Sequence, residues 1–209
     1  MRPAAPELGA ISAATLAHYN AHADSFRSAT WAHDVGQNIA TLLRHIVAAR
    51  PYTILDFGCG PGRDLRALTA LGHLAIGLDG AESFVRMARE ASDCAVWQQD
   101  FLALNLPDCH FDGVFANASL FHVPGAALAG VLGQLHATLK GCGVLFCSNP
   151  RGANVEGWSD GRYGAYYELA AWRERMLGAG FVELEHYYRP AGLPRAEQAW
   201  LASVWRKPG

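Results

Sequence analysis

Apolar and polar positions along the chain fall into alternating helical and strand periods. From Val35, the apolar residues Val35, Ile39, Leu42, Leu43, Ile46 and Val47 recur at i, i+4, i+7 spacing and mark one face of an amphipathic helix. Asp34 stands before it as an N-cap, and Pro51 lies just past its end. After Pro51 the period shortens. Residues 52–57 predict a strand ending at Gly58, residues 63–71 a helix stopped by Gly72, and residues 74–79 a strand. A helix over 81–91, a strand over 95–99, a strand over 112–117 and a helix over 125–140 follow, and Gly141-Cys142-Gly143 turns into a strand over 144–148. This βαβαβ rhythm calls for a parallel sheet covered by helices on both faces.

The ends read differently. Residues 1–10 carry two prolines and predict a loose tail, and residues 11–30 are helical in part. Residues 149–167 form an insert rich in Gly, aromatic and polar residues. Residues 168–178 predict a helix, 182–188 a strand, 189–198 a Pro-containing loop and 200–206 a last strand, so that the two late strands close the sheet as a pair.

Composition narrows the classes. The 209 residues are the size of one domain, and 51% hydrophobic with 17% charged residues supports a large core and excludes disorder. Lys and Arg total 17 against 19 Asp and Glu, a formal charge of −2, which disfavours a nucleic-acid partner. The first twenty residues lack a continuous apolar stretch, and no run of about 18 apolar residues exists to span a membrane. The five cysteines are scattered without a CxxC, which suggests neither a metal site nor a disulfide framework; a cytoplasmic location is expected.

The strongest chemical signal is Leu55-Asp56-Phe57-Gly58-Cys59-Gly60-Pro61-Gly62-Arg63-Asp64. A strand ends, glycines turn the chain, and a helix begins. Bare backbone lets a ligand approach closely, and the helix N-terminus offers free N–H groups. A dinucleotide fingerprint reads GxGxxG, whereas Arg63 holds the sixth position here and the pattern is GxGxG. It also lacks the GK[ST] of a phosphate-binding P-loop. Asp79 ends the second strand, 23 residues beyond Asp56, and Asp100 follows the third strand 21 residues later. Such spacing places the acids at the carboxyl ends of neighbouring parallel strands, the ligand-binding edge of open α/β sheets. A carboxylate there matches the two hydroxyls of a ribose, although Asp79 could equally cap the following helix.

DFGCGPG, with Asp79 and Asp100 behind it, resembles the first motifs of class I S-adenosylmethionine-dependent methyltransferases of small-molecule type, over residues 50–206. The resemblance implies an α/β Rossmann-like three-layer αβα sandwich, with a seven-stranded, mostly parallel sheet, a C-terminal antiparallel strand and an N-terminal helical cap. It implies one domain over 1–209: a cap or lid (1–50), a cofactor core (51–148), a substrate-side insert (149–167), and a closing helix and strands (168–209). S-adenosyl-L-methionine is the implied cofactor. Its binding residues would be Asp56 near the ammonium, the loop Gly58, Cys59, Gly60 and Gly62, Asp79 and Gly80 at the ribose, Asp100 and Phe101 at the adenine, Asn117, Ala118 and Ser119 after the fourth strand, and Tyr19 from the lid.

Methyl transfer from a sulfonium is an in-line displacement with a neutral leaving group, so the protein supplies position, exclusion of water and sometimes a base. His122 and His33 are the candidate bases. His33 lies beside Asp34, which could equally be an ordinary helix start. Trp31, Asp34, Asn38, Trp158, Arg162, Tyr163 and Tyr166 are the candidate acceptor contacts; Arg162 suits a carboxylate, while Tyr163 and Tyr167 could share a packed face instead. A small-molecule acceptor, no membrane, no metal, and a monomer or homodimer are expected. The alternatives on the same motifs are an RNA or protein acceptor, or a non-catalytic S-adenosylmethionine-binding regulator.

Overall fold

Three helices precede the first strand in the computed structural model, which describes residues 5–209: α1 (Ala5–Ala21), α2 (Ala23–Thr30) and α3 (Gly36–His45). Strands and helices then alternate as β1 (Thr53–Phe57), α4 (Arg63–Ala70), β2 (Leu74–Asp79), α5 (Glu82–Ser92), β3 (Val96–Gln98) and β4 (Phe111–Asn117). Next come α6 (Gly125–Thr138), β5 (Leu139–Pro150), β6 (Val155–Ser159) and β7 (Arg162–Tyr166). The last elements are α7 (Leu169–Gly178), β8 (Val182–Arg189) and β9 (Trp200–Arg206).

Seven strands form one sheet in the order β3-β2-β1-β4-β5-β9-β8, and β6 with β7 forms a separate two-stranded sheet. The pairs from β3 to β5 are parallel, and β9 runs antiparallel to both its neighbours. This is the expected seven-stranded sandwich with one reversed strand. Its strand order changes direction between β1 and β4, and such a switch point opens a crevice at the carboxyl edge.

Both faces of the sheet are buried, and the strand residues alternate between them, as the two-residue period of a strand requires. Leu55, Val114 and Leu145 pack with Leu132 of α6 and with Trp172 and Met176 of α7. Their neighbours Ile54, Phe115 and Phe146 pack on the other face with Leu42 of α3, Leu65 and Leu68 of α4, and Val85 of α5. Each fully buried leucine of this kind contributes roughly 1.5–3 kcal/mol.

Four local expectations change. Residues 5–10 belong to α1 rather than to a loose tail, while residues 1–4 of that expected tail lie outside the described residues. The N-cap of α3 is Val35; Asp34 sits one residue earlier, and its Oδ1 accepts the Gly36 N–H at 2.8 Å. β5 starts at Leu139, which pairs with Phe111, and the predicted turn at 141–143 is an irregularity inside that strand, with Cys142 at φ 63°. The insert is not a loop but a hairpin, turned by Asp160 and Gly161 at φ 49° and 77°. Positive φ at both central residues gives the tight turn whose twist suits a hairpin, and Asp-Gly is its usual sequence.

The helical cap is fixed from two sides. Leu16, Tyr19 and Phe26 pack on Ala81, Phe84 and Met87 at α5. Thr15 Oγ1 accepts the Tyr163 N–H at 3.1 Å, tying α1 to the hairpin.

Candidate active site at the carboxyl edge of the sheet

A cavity of about 700 Å³ runs along the carboxyl edge. Its size lies within the roughly 300–1,000 Å³ of small-molecule sites. Gly58, Cys59 and Gly60 after β1, Asp79 and Gly80 after β2, Asp100 and Phe101 after β3, and Asn117, Ala118 and Ser119 after β4 all line it. Tyr19, His33, Asp34, Asn38, His122 and Arg162 complete the sequence-predicted part of its wall.

The loops after β1 and β4 meet closely. Gly58 has φ 79°, and a Cβ there would lie 2.4 Å from Ser119 Cβ, so only glycine fits. Ala118, on the opposing loop, also adopts a left-handed backbone at φ 61°. Such strain in a non-glycine residue persists where surrounding contacts hold it. Gly60, at φ 52°, differs: the only atom within 4 Å of an added Cβ is Phe26 Cε1, at 3.9 Å, so this position faces open space.

Asp79 organises the loop. Its Oδ2 accepts the Gly60 N–H and its Oδ1 the Ala81 N–H, both at 2.9 Å. Burial raises its pKa to about 6, against the lowering effect of the backbone N–H groups of Ala81, Gly60 and Gly80. Asp100 accepts from Ser12 Oγ at 2.8 Å and from the Leu102 N–H at 2.8 Å. Phe101 stacks on Phe57, with ring centroids 4.2 Å apart.

A polar chain crosses the floor. Arg63 Nε donates to Asp64 Oδ1 at 2.6 Å, Asn117 Nδ2 to Asp64 Oδ2 at 3.2 Å, and Asn38 Nδ2 to Asn117 Oδ1 at 3.0 Å. Asn38 Oδ1 then accepts from the Tyr187 hydroxyl at 2.7 Å and from Arg189 Nη1 at 3.0 Å. Over the cavity, His122 Nε2 lies 2.6 Å from the Tyr19 hydroxyl and His122 Nδ1 lies 2.6 Å from the Tyr163 carbonyl. Burial lowers the His122 pKa to about 4.

Six predicted residues lie off the cavity wall. Asp56 is buried beneath the loop; its Oδ2 has no partner, and burial with Asp64 and Asp79 nearby raises its pKa well above the carboxylate range. Gly62 serves helix packing, since a Cβ there would lie 2.8 Å from Ala88 Cα of α5. Trp31 lines a neighbouring hollow between α2, α3 and α4, flanked by the guanidinium of Arg27 at 4.9 Å. Trp158 is 54% exposed on β6 and meets the Tyr163 ring at 5.6 Å. Tyr163 is buried under the hairpin and contributes its backbone, through the carbonyl that fixes His122. Tyr166 packs at a tilt against Phe121 and over Gly164.

The wall also holds residues that the sequence reading did not select: Ser12, Thr15, Leu16, Phe84, Ser148, Arg189, Pro190 and Trp200. Arg189 and Trp200 reach it because β8 ends and β9 begins at the same edge as the parallel strands end; the two residues pair in register. Among the described residues, no group of three or more His, Cys, Asp or Glu could hold a metal ion, and no helix is long and apolar enough to cross a membrane.

A family model described as a methyltransferase domain matches residues 54–143, from β1 into β5. Over those residues the chain is similar to methyltransferase domains. The chain is 34% identical over 101 residues to a trans-aconitate 2-methyltransferase of Azoarcus sp. strain BH72, covering 47% of this chain and 39% of that protein. It is 30% identical over 154 residues to a trans-aconitate 2-methyltransferase of Acidovorax sp. strain JS42, covering 70% of this chain and 58% of that protein. It thus spans less than two thirds of either relative. Its fold resembles that of the Burkholderia thailandensis 1,6-didemethyltoxoflavin-N1-methyltransferase, solved with 1,6-didemethyltoxoflavin and S-adenosylhomocysteine bound. The TM-score is 0.80 at 21% identity, over 100% of this chain and 93% of that one.

The residues of the site fit S-adenosylmethionine. The Ser119 hydroxyl is buried beside the glycine loop without a partner among the described residues. Gly60 leaves room for a ligand against the loop. The carboxylates of Asp79 and Asp100 each retain acceptor positions beyond those used, since two oxygens offer about four.

Proposed function

We propose that this protein transfers a methyl group from S-adenosylmethionine to a small-molecule acceptor. The observation that carries the reading is the cavity itself. It joins the glycine loop and two acids at strand ends on one side to a polar, aromatic chamber under the helical cap on the other. The cofactor supplies an electrophilic methyl group on a sulfonium. Asp79 would take the ribose hydroxyls, Asp100 the adenine amine, with Phe101 beside it, and the Gly58–Gly60 backbone the amino-acid end. Tyr19, Phe26 and His122 would cover the reacting region and exclude water, and Asn38, Asn117, Arg162 and Arg189 would orient the acceptor.

Residues of the cap and of the hairpin line the cavity, whose volume of about 700 Å³ supports a small acceptor over RNA. The formal charge of −2 supports the same reading. Trans-aconitate and 1,6-didemethyltoxoflavin, the acceptors of a similar sequence and of a similar fold, are small molecules too.

Isothermal titration with S-adenosylhomocysteine and, separately, with NADH tests the cofactor side. The expected result is saturable binding of S-adenosylhomocysteine, lost in Gly60→Val, and none of NADH. The reverse preference would overturn the reading.

A further inference from the structure

Charge is distributed unevenly around the cavity. On the β1–β3 side, Asp79 and Asp100 face it with hydroxyl and backbone N–H partners. In the middle, Asp64 is paired with Arg63, whose Nε and Nη2 donate to it at 2.6 and 3.0 Å. Two further arginines line the cavity, Arg162 of β7 beside Tyr19 and Arg189 at the end of β8, and they form no ion pair with a carboxylate among the described residues.

Arg162 reaches in from the hairpin. Its Nε is buried and has no partner among the described residues, and its Nη1 reaches the Tyr19 hydroxyl at 3.5 Å. Arg189 Nη1 donates at 3.0 Å to Asn38 Oδ1, a neutral amide that also accepts from Tyr187. Asp34, a further acid of the wall, is exposed and accepts from the Gly36 N–H. A guanidinium stays charged at all working pH values and offers five donors in a fixed fork that matches a carboxylate. Leaving a buried donor unmatched costs free energy, so Arg162, together with an Arg189 whose partner is a neutral amide, marks a place for an anion.

We propose that Arg162 and Arg189 bind an anionic group of the acceptor, a carboxylate or an oxyanion of equivalent shape. The inference rests on the methyl-transfer reading above and adds the charge of the substrate. Arg189 is placed for the acceptor rather than for the cofactor. β8 is four strands from β1 in the sheet, about 19 Å at the usual strand spacing, and Arg189 reaches back only as far as Asn38.

The test uses the full chain. A small-molecule extract is separated on an anion exchanger at pH 8. Each fraction is incubated with the protein and S-adenosylmethionine, and S-adenosylhomocysteine release is measured. Release is expected from the retained, anionic fraction. In Arg162→Gln and Arg189→Gln the KM for that fraction should rise about tenfold or more, as for a lost charged hydrogen bond. The S-adenosylhomocysteine Kd, measured calorimetrically, should stay within about threefold and thereby report an intact fold. Arg189→Lys, which keeps the charge but not the fork, should recover part of the loss.

Release confined to the unretained fraction would overturn the inference and leave the transfer reading standing. So would an unchanged KM in both variants. A loss of S-adenosylhomocysteine affinity equal to the rise in KM would assign the arginines to the cofactor and overturn the inference as well. Release from no fraction would overturn the transfer reading itself.

Discussion

The Tyr19 hydroxyl and His122 Nε2 lie 2.6 Å apart, joining the helical cap to the turn after β4. His122 Nδ1 faces the Tyr163 carbonyl at 2.6 Å, and a carbonyl can only accept. The proton of the neutral ring therefore sits on Nδ1, and Nε2 accepts from Tyr19. The cap, the hairpin and the β4 turn meet at one imidazole.

The pH dependence of stability follows from that burial. In the fold the His122 pKa is lowered from 6.5 to about 4, so on acidification the unfolded chain takes up the proton first. The contribution of neutral His122 is complete above about pH 6.5 and is lost as pH falls toward 4, by up to about 3 kcal/mol. Urea unfolding at pH 7 and pH 4.5 should show wild type losing about 2–3 kcal/mol more than His122→Gln. Equal losses would remove His122 from this role.

Tyr19→Phe removes the donor and leaves a buried acceptor unmatched. Unfolding free energy should fall by about 1–3 kcal/mol. S-adenosylhomocysteine should also bind more weakly, because the cap loses its hold on the site. Thermal unfolding and calorimetry on the same preparation check both effects; wild-type values in both would show that the contact fixes nothing.

Asp79 should make cofactor affinity depend on pH. Its pKa is raised by burial to about 6, and only the carboxylate accepts from both hydroxyls of a ribose. S-adenosylhomocysteine affinity should hold steady above about pH 7 and weaken by up to about tenfold per unit below pH 6. Asp79→Asn should bind weakly at every pH, with a flatter profile. An equally steep profile in the variant would place the titrating group elsewhere.

The first two glycines of the loop should respond differently to alanine. Gly58→Ala drives a Cβ to 2.4 Å from Ser119 Cβ and should unfold the loop region, seen as a large drop in melting temperature. Gly60→Ala meets nothing closer than 3.9 Å and should cost only the roughly 1–2 kcal/mol of a left-handed backbone, while its methyl group obstructs the ligand. Circular dichroism melts together with S-adenosylhomocysteine titration separate the two. Equal melting temperatures would refute the contrast.

Much of the fold could be read from the sequence, because strong local signals and tertiary demand agree. β2 and β9 occupy the predicted residues, and β1 starts one residue later than predicted. The hairpin was missed although Asp160-Gly161 is a strong turn signal, because its aromatic and glycine residues do not alternate in polarity as a half-buried strand does. α1 was read partly as tail because its alanine-rich sequence has no clear apolar stripe, and Ser12 and Leu16 went unselected with it. Arg189 and Trp200 enter the cavity only because β9 reverses direction at the sheet edge, a relation between distant segments that no local pattern carries. The ring of Tyr163 suggests an acceptor contact, whereas its backbone is what reaches the site.

Whether the chain is a transferase is decided by incubating it with S-adenosylmethionine carrying an isotopically labelled methyl group and a small-metabolite extract. Label and S-adenosylhomocysteine are then followed by mass spectrometry. The expected result is S-adenosylhomocysteine formed in equal amount to one labelled small molecule, with both absent in Gly60→Val. Tight binding of S-adenosylhomocysteine with no label leaving the cofactor would contradict methyl transfer and leave a binding protein in its place.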